Sequence, residues 1–198
     1  MTEGYLAFLI FVAVATVSPG GATTLATASG MRYGVRRSVP YILGIGIGLG
    51  SMAVASTLGL AALLLAVPAL ELAVRAAGSL YLLYLAWKIA TSGAPSQGSE
   101  ASRPVSLLGA VGLTWYNPKA WAITMGASSS FAHLVTWPPG QVALMGVTFL
   151  VFATASMTLW CTTGLALGRL LKSDRQWRVL NLTMGLLLAA SIIPMWRE

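Results

Sequence analysis

The sequence predicts an all-α integral membrane protein whose six transmembrane helices form two inverted three-helix repeats. Three observations carry that prediction. Of the 198 residues, 57% are hydrophobic and only 9% charged, against about 25% charged in a soluble domain. So few charges cannot cover a water-facing surface. Apolar runs long enough to cross a ~30 Å hydrocarbon core recur six times along the chain. The basic residues fall mainly in alternate loops between those runs.

The first run extends from about Tyr5 to Gly30. "MTEGY" offers no basic n-region, so the run reads as a retained span rather than a cleaved signal. Its middle contains "SPGG", Ser18 to Gly21. Ser is a favoured N-cap, and Pro is favoured at the first helical position. Pro19 also has no N–H to give the carbonyl of Ala15. A helix is therefore expected to stop and restart inside this span. Gly20 and Gly21 would let another backbone or a ligand come close.

The second run, Val39 to Ala66, carries glycines at 44, 46, 48 and 50. Gly44 with Gly48, and Gly46 with Gly50, make two small-xxx-small pairs suited to close helix packing. The third run, Glu71 to Ala90, opens on Glu71 and Arg75, a helix-compatible pair. Tyr81 and Tyr84 within it are placed either to face a cavity or to pack. "TSGAPSQGSEASRP", Thr91 to Pro104, is the one linker-like segment. It divides the chain into a first repeat (1–91), a flexible cytoplasmic linker (92–106) and a second repeat (107–198).

The fourth run, Leu107 to Phe131, repeats the break: Asn117 as N-cap, Pro118 at the first position, then Lys119. The fifth, Gly140 to Leu167, holds the single cysteine, Cys161. It reads as a small buried hydrophobe. The sixth runs from Val179 to Trp196.

Pro19 and Pro118 are 99 residues apart. The same offset pairs Ala28 with Ala127, Ser29 with Ser128 and Pro40 with Pro139. A three-span repeat must insert its second copy upside down, as many secondary transporters do. Nine basic residues lie in one set of loops: Arg32, Arg36, Arg37, Lys88, Arg103, Arg169, Lys172, Arg175 and Arg178. The other set holds Arg75 and Arg197. Positive-inside bias puts the nine in the cytoplasm and both termini outside. Trp87 and Trp177 suit an inner aromatic belt, and Trp137 and Trp196 an outer one. His133 reads as a solvated loop residue.

The net charge of +7 therefore reflects topology. It predicts no nucleic-acid partner. The expected partners are the bilayer and a small molecule, with room for a homo-oligomer. No cofactor and no metal are called for.

Both breaks fall deep in their spans. At 1.5 Å per residue, Pro118 lies ~16 Å along its helix and Pro19 ~21 Å. Broken backbone at that depth is tolerated only where it is buried in protein or lines a wet cavity. Two restarted helices would aim their positive ends at one region and favour an anion. Lys119 is the one charged residue placed well inside a span, at a cost of roughly 2.5–3.5 kcal/mol. No acid lies in a span interior to pair with it. The expected substrate site is Ser18, Pro19, Gly20, Gly21, Thr24, Asn117, Pro118 and Lys119.

"SPGGATTLATASGMRYGVRRSVPYILGIGIG", "GSLYLLYLAWKI" (Gly78 to Ile89) and "NPKAW" (Asn117 to Trp121) together resemble the LysE/RhtB family of amino-acid exporters. The likeness covers nearly the whole chain. It implies six spans in two inverted halves. It also implies export of amino acids or similar metabolites across the bacterial inner membrane, driven by the membrane potential or a proton gradient. Where the family's first motif reads Pro-Gly-Pro, this chain has Pro19, Gly20 and Gly21. Where some members carry an Asp early in span two, this chain has glycines and Ser51. A cation or proton site at that position is thereby removed.

The leading expectation is a secondary exporter of a small amino acid or related zwitterion, working by alternating access. An intramembrane enzyme would need a nucleophile with a base, or a metal cluster. One cysteine, one loop histidine and no acid in a span interior supply neither. A passive pore or a non-transporting assembly protein is the alternative that single-channel recording would separate.

Overall fold

The computed structural model describes residues 2–59, 68–91, 104–132, 134–171, 173–190 and 192. Among them are seven helices and no strand: α1 (Thr2–Val17), α2 (Gly21–Thr57), α3 (Pro68–Ala90), α4 (Leu107–Trp115), α5 (Pro118–Ser130), α6 (Pro138–Leu170) and α7 (Asp174–Ala190). Expectations for His133, Trp196 and most of the linker lie outside the described residues, as do the side chains of Glu71, Arg75 and Tyr81.

α2 is not one rod. Gly34 leaves helical geometry at φ 75°, ψ 170°, a region that glycine enters without a Cβ clash. The Tyr41 hydroxyl donates to the Ala22 carbonyl at 2.7 Å. In a straight helix those residues would stand ~28 Å apart. The Ser29 and Ser38 hydroxyls also meet, at 2.7 Å. α2 therefore folds back on itself at Gly34. The basic connection expected around residues 31–38 is almost wholly helical, because Gly34 alone makes the turn.

α2 and α6 are long and apolar enough to cross a membrane. α6 has 33 residues, or ~50 Å of helix. That exceeds the hydrocarbon core and requires tilt or emergence into the headgroups. α1 shows how the faces divide. Leu6, Ile10 and Val14, four apart, are more than half exposed, while Phe8 and Val12 are fully buried. Large apolar side chains are likewise exposed along α3, α6 and α7. A bundle with this outer surface suits lipid.

The interior has two apolar clusters. One gathers Leu25, Tyr41, Ile45, Leu85, Met157 and Leu188. The other gathers Phe8, Val12, Leu49, Met52, Met145 and Phe149. Close backbone approach sets the spacing around them. A Cβ on Gly44 or Gly48 would strike α4 at Leu107 or Thr114. A Cβ on Gly46 or Gly50 would strike α6 at Thr154 or Gly146. The two small-xxx-small pairs thus serve two different partners. Gly30 and Gly164 bring residues 21–33 of α2 equally close to α6, at Cys161 and Thr27. Cys161 is fully buried there. Trp87 and Trp137 are about two-thirds exposed. Tyr84 is half exposed, with the Lys88 ammonium 5.9 Å from its ring centre, so it does not face the interior.

Gly164→Val forces a side chain into the Thr27 carbonyl. It should destabilise the protein by about 1–3 kcal/mol or more. Gly126→Ala, whose Cβ would meet only a ring atom of Phe11 at 4.0 Å, should leave stability unchanged or raise it by up to about 1 kcal/mol. Thermal unfolding of both variants in detergent checks the contrast.

Candidate functional site

The helix ends at α1/α2 and α4/α5 create the site. α1 stops at Val17, and α2 starts at Gly21. A helix C-terminus exposes carbonyls without intrahelical partners. In an apolar interior each one left unpaired is costly. Here they are covered in order. The Ser18 N–H closes on the Val14 carbonyl at 3.0 Å. The Ser18 hydroxyl donates to Ala15 at 2.9 Å, taking the carbonyl that Pro19 cannot serve. From α6, Ser156 Oγ donates to the Thr16 carbonyl at 2.8 Å and Trp160 Nε1 to that of Val17 at 3.1 Å.

Lys119, half-buried on the first turn of α5, completes the set. Its Nζ donates to the Ser18 carbonyl at 2.9 Å and to Ser18 Oγ at 2.8 Å, and lies 3.4 Å from the Pro19 carbonyl. A lysine here also complements the negative end of the α1 dipole. Its charge is held by a helix terminus, without a carboxylate among the described residues.

The restarted ends use different caps. Asn117 is the N-cap of α5, its Oδ1 accepting from the Lys119 N–H at 3.0 Å, with Pro118 at the first position. At α2 the expected cap is corrected. Ser18 belongs to the end of α1, and Gly20 is the N-cap. Gly20 lacks a side chain, so Thr23 Oγ1 substitutes: it accepts from the Gly20 N–H at 2.8 Å and donates to the Gly20 carbonyl at 2.9 Å. The two sites differ because Ser18 is drawn back to the Ala15 carbonyl.

A cavity of about 60 Å³ lies between the breaks. One water needs roughly 10–15 Å³ on this scale, so several fit. Ser18, Gly20, Gly21, Asn117 and Lys119 line it. The walls include Leu25, Tyr41, Ile45 and Met157 of one core cluster and Leu49 and Ala153 of the other. The structure thus brings five expected residues to one cavity. Pro19 is exposed and lies outside its lining. Thr24 is one turn into α2, bonded through its N–H to Gly20, and is likewise outside the lining.

Sequence reasoning missed Ser156, Trp160 and Tyr41. Trp115 and Trp121 were missed as well. Trp121 Nε1 donates to the Trp115 carbonyl at 2.8 Å, and Trp115 Nε1 to Ser51 Oγ at 3.1 Å. The usable signal was an indole N–H far from any membrane interface, which must find an acceptor.

Fold and cavity define a class: an all-α membrane bundle with a small polar chamber between helix ends. The chain belongs to the LysE type translocator family, whose model matches residues 13–191. A translocator carries its cargo across unchanged, so the chain is a transporter and not an enzyme. It is similar to a cysteine/O-acetylserine efflux protein of Klebsiella pneumoniae, with 31% identity over 159 residues and 78% of each chain covered. It is also similar to the Escherichia coli and Shigella sonnei proteins of that description, each 28% identical over 183 residues and covering 92% of both chains. No solved structure matches.

Ser156→Ala removes the only donor from α6 to the Thr16 carbonyl among the described residues, with little change in volume. A loss of about 1–3 kcal/mol is expected, measured as a lowered unfolding midpoint in detergent.

Proposed function

We propose that this protein is a secondary exporter of a small amino acid or related zwitterion, working by alternating access between two inverted halves. The carrying observation is the grip of Lys119 on Ser18, which joins the two helix breaks at one cavity. The first turn of α2 lines that cavity beside Asn117 and Lys119 of the α5 start. The first-turn N–H groups of α2 and the positive ends of both helices suit a carboxylate. The relatives named for cysteine and O-acetylserine efflux favour a small, polar amino acid as cargo.

Several features support six spans in two halves, residues 1–91 and 107–198. α1 with residues 21–33 of α2 would form one broken span, and α4 with α5 the other. α2 packs chiefly on α6, and α3 on α7, so second and third spans pair with their counterparts across the halves. Pro40 and Pro139 both stand near the start of the helical stretch that follows a break. With both termini outside, Arg36 and Arg37 at the α2 turn and Arg169 at the end of α6 meet the cytoplasm.

In proteoliposomes, wild-type protein should exchange labelled cysteine in counterflow. Lys119→Ala should abolish exchange while the protein remains folded and inserted. Lys119→Arg should do only slightly better, since a guanidinium has a different shape and donor geometry. Gly20→Val should impair transport, because a Cβ there already meets Lys119 Nζ at 3.4 Å. Exchange by Lys119→Ala at the wild-type rate would place the site elsewhere. Saturation of wild-type flux separates a carrier from a pore.

The topology has its own test. A cysteine at Ser173 should react only with reagent on the cytoplasmic side. Labelling from outside intact cells would refute the orientation.

A further inference from the structure

A second cavity, of about 110 Å³, lies further along α2. Half-buried Arg32 and exposed Lys88, whose ammonium is 5.9 Å from the Tyr84 ring centre, line it together with Ser29, Asn181 and Val105. Ser29 and Asn181 are buried. Among the described residues that line it, none is acidic. Leu25 and Tyr41 line this cavity and the central one alike. The two chambers therefore stand in series, separated by one layer of side chains. Tyr41 is almost fully buried in that layer, its hydroxyl fixed to the Ala22 carbonyl at 2.7 Å. Arg32 is twelve residues past Gly20, ~18 Å along the helix. That is about half a hydrocarbon core, so a midplane break would put Arg32 at the membrane surface.

We propose that Arg32 and Lys88 form a second site for an organic carboxylate, in line with the central cavity. On the exporter reading, on which its ligand rests, that carboxylate is the substrate's, held at the cytoplasmic mouth before entry. Two cations in a partly enclosed space raise the local concentration of an anion. Buried Ser29, its hydroxyl bonded to that of Ser38 at 2.7 Å, and buried Asn181 lie on the same wall. An arginine can take a carboxylate in two parallel hydrogen bonds. The Lys119 chamber beyond Tyr41 is smaller. The outer site would gather carboxylates, and the inner one would select.

The test uses the full chain with Ala28→Cys, which lines the second cavity, in a Cys161→Ala background. Val105→Cys serves if that variant folds poorly. The protein is reconstituted in phosphatidylcholine nanodiscs and treated with an anionic, sulfonate-bearing methanethiosulfonate or a cationic, trimethylammonium-bearing one. Rates are scaled to those of a free thiol. The anionic reagent should react about ten-fold faster than the cationic one, and Arg32→Gln with Lys88→Gln should bring the ratio near unity. No preference, or one unchanged by the double substitution, overturns the proposal. A preference abolished by adding phosphatidylglycerol assigns the pair to lipid headgroups and overturns it too. In counterflow, Arg32→Gln should raise the half-saturating cysteine concentration several-fold and leave the maximal rate near wild type. An unchanged half-saturating concentration counts against the site. Wild-type protein that exchanges no amino acid sinks the exporter reading instead, and the reagent ratio still judges the site.

Discussion

An apolar interior offers few hydrogen bonds, so a helix that ends inside it must have its loose backbone groups met by other parts of the protein. That constraint organises this molecule. The end of α1 releases carbonyls at Ala15, Thr16, Val17 and Ser18, and each has a dedicated side-chain donor. Two donors come from α6 and one from α5. The break is thus a junction at which three helices are fastened to one another. Among the described residues, no buried side-chain N or O is left without a partner. Removing any donor loosens both a backbone group and a helix contact.

Such bonds need backbones held within a few ångströms, which explains the glycines. Thr16 can reach Ser156 only if α1 and α6 lie close, and α6 is also drawn against α2 through Gly30, Gly164, Gly46 and Gly50. Lipid supplies no hydrophobic force to press helices together, so close small-residue packing must do it. The cavity then falls at the seam between the two apolar clusters, where neither fills the space beside the broken backbone.

Much of this could be read in the sequence, for identifiable reasons. The Asn117–Pro118 cap is local chemistry, and the structure uses it at α5. The absence of any acid in a span interior left freed carbonyls, water or a substrate anion as partners for Lys119, and the structure uses carbonyls. Which carbonyls it would take did not follow, because Ser18 and Lys119 are 101 residues apart. Ser18 itself was misread. Ser-Pro is a valid helix start, but the hydroxyl had a stronger claim in the Ala15 carbonyl three residues back. The connection around residues 31–38 was legible from Arg32, Arg36 and Arg37, but not that helix continues on both sides of it and Gly34 alone makes the turn. Ser156 and Trp160 carried no signal of period or composition, since their partners are 140 and 143 residues away.

The way Lys119 is held bears on how a carrier could use it. A carboxylate entering the cavity would gain a charge-assisted bond to the ammonium, worth roughly 1.5–3 kcal/mol. To form it, the ammonium must give up one or more oxygens at the α1 end, and an uncovered buried carbonyl costs about 1–3 kcal/mol. The two terms are of one size, so exchanging an internal partner for a substrate is nearly balanced. A lysine paired with a buried acid would instead set the substrate against a full opposite charge. A lysine with no partner would bind its anion too tightly to release it. Ser18 also belongs to α1 while Lys119 belongs to α5. Under the proposed cycle, any substrate that loosens their bond loosens one half of the protein from the other. Binding and the freedom of the halves to move would then be the same event.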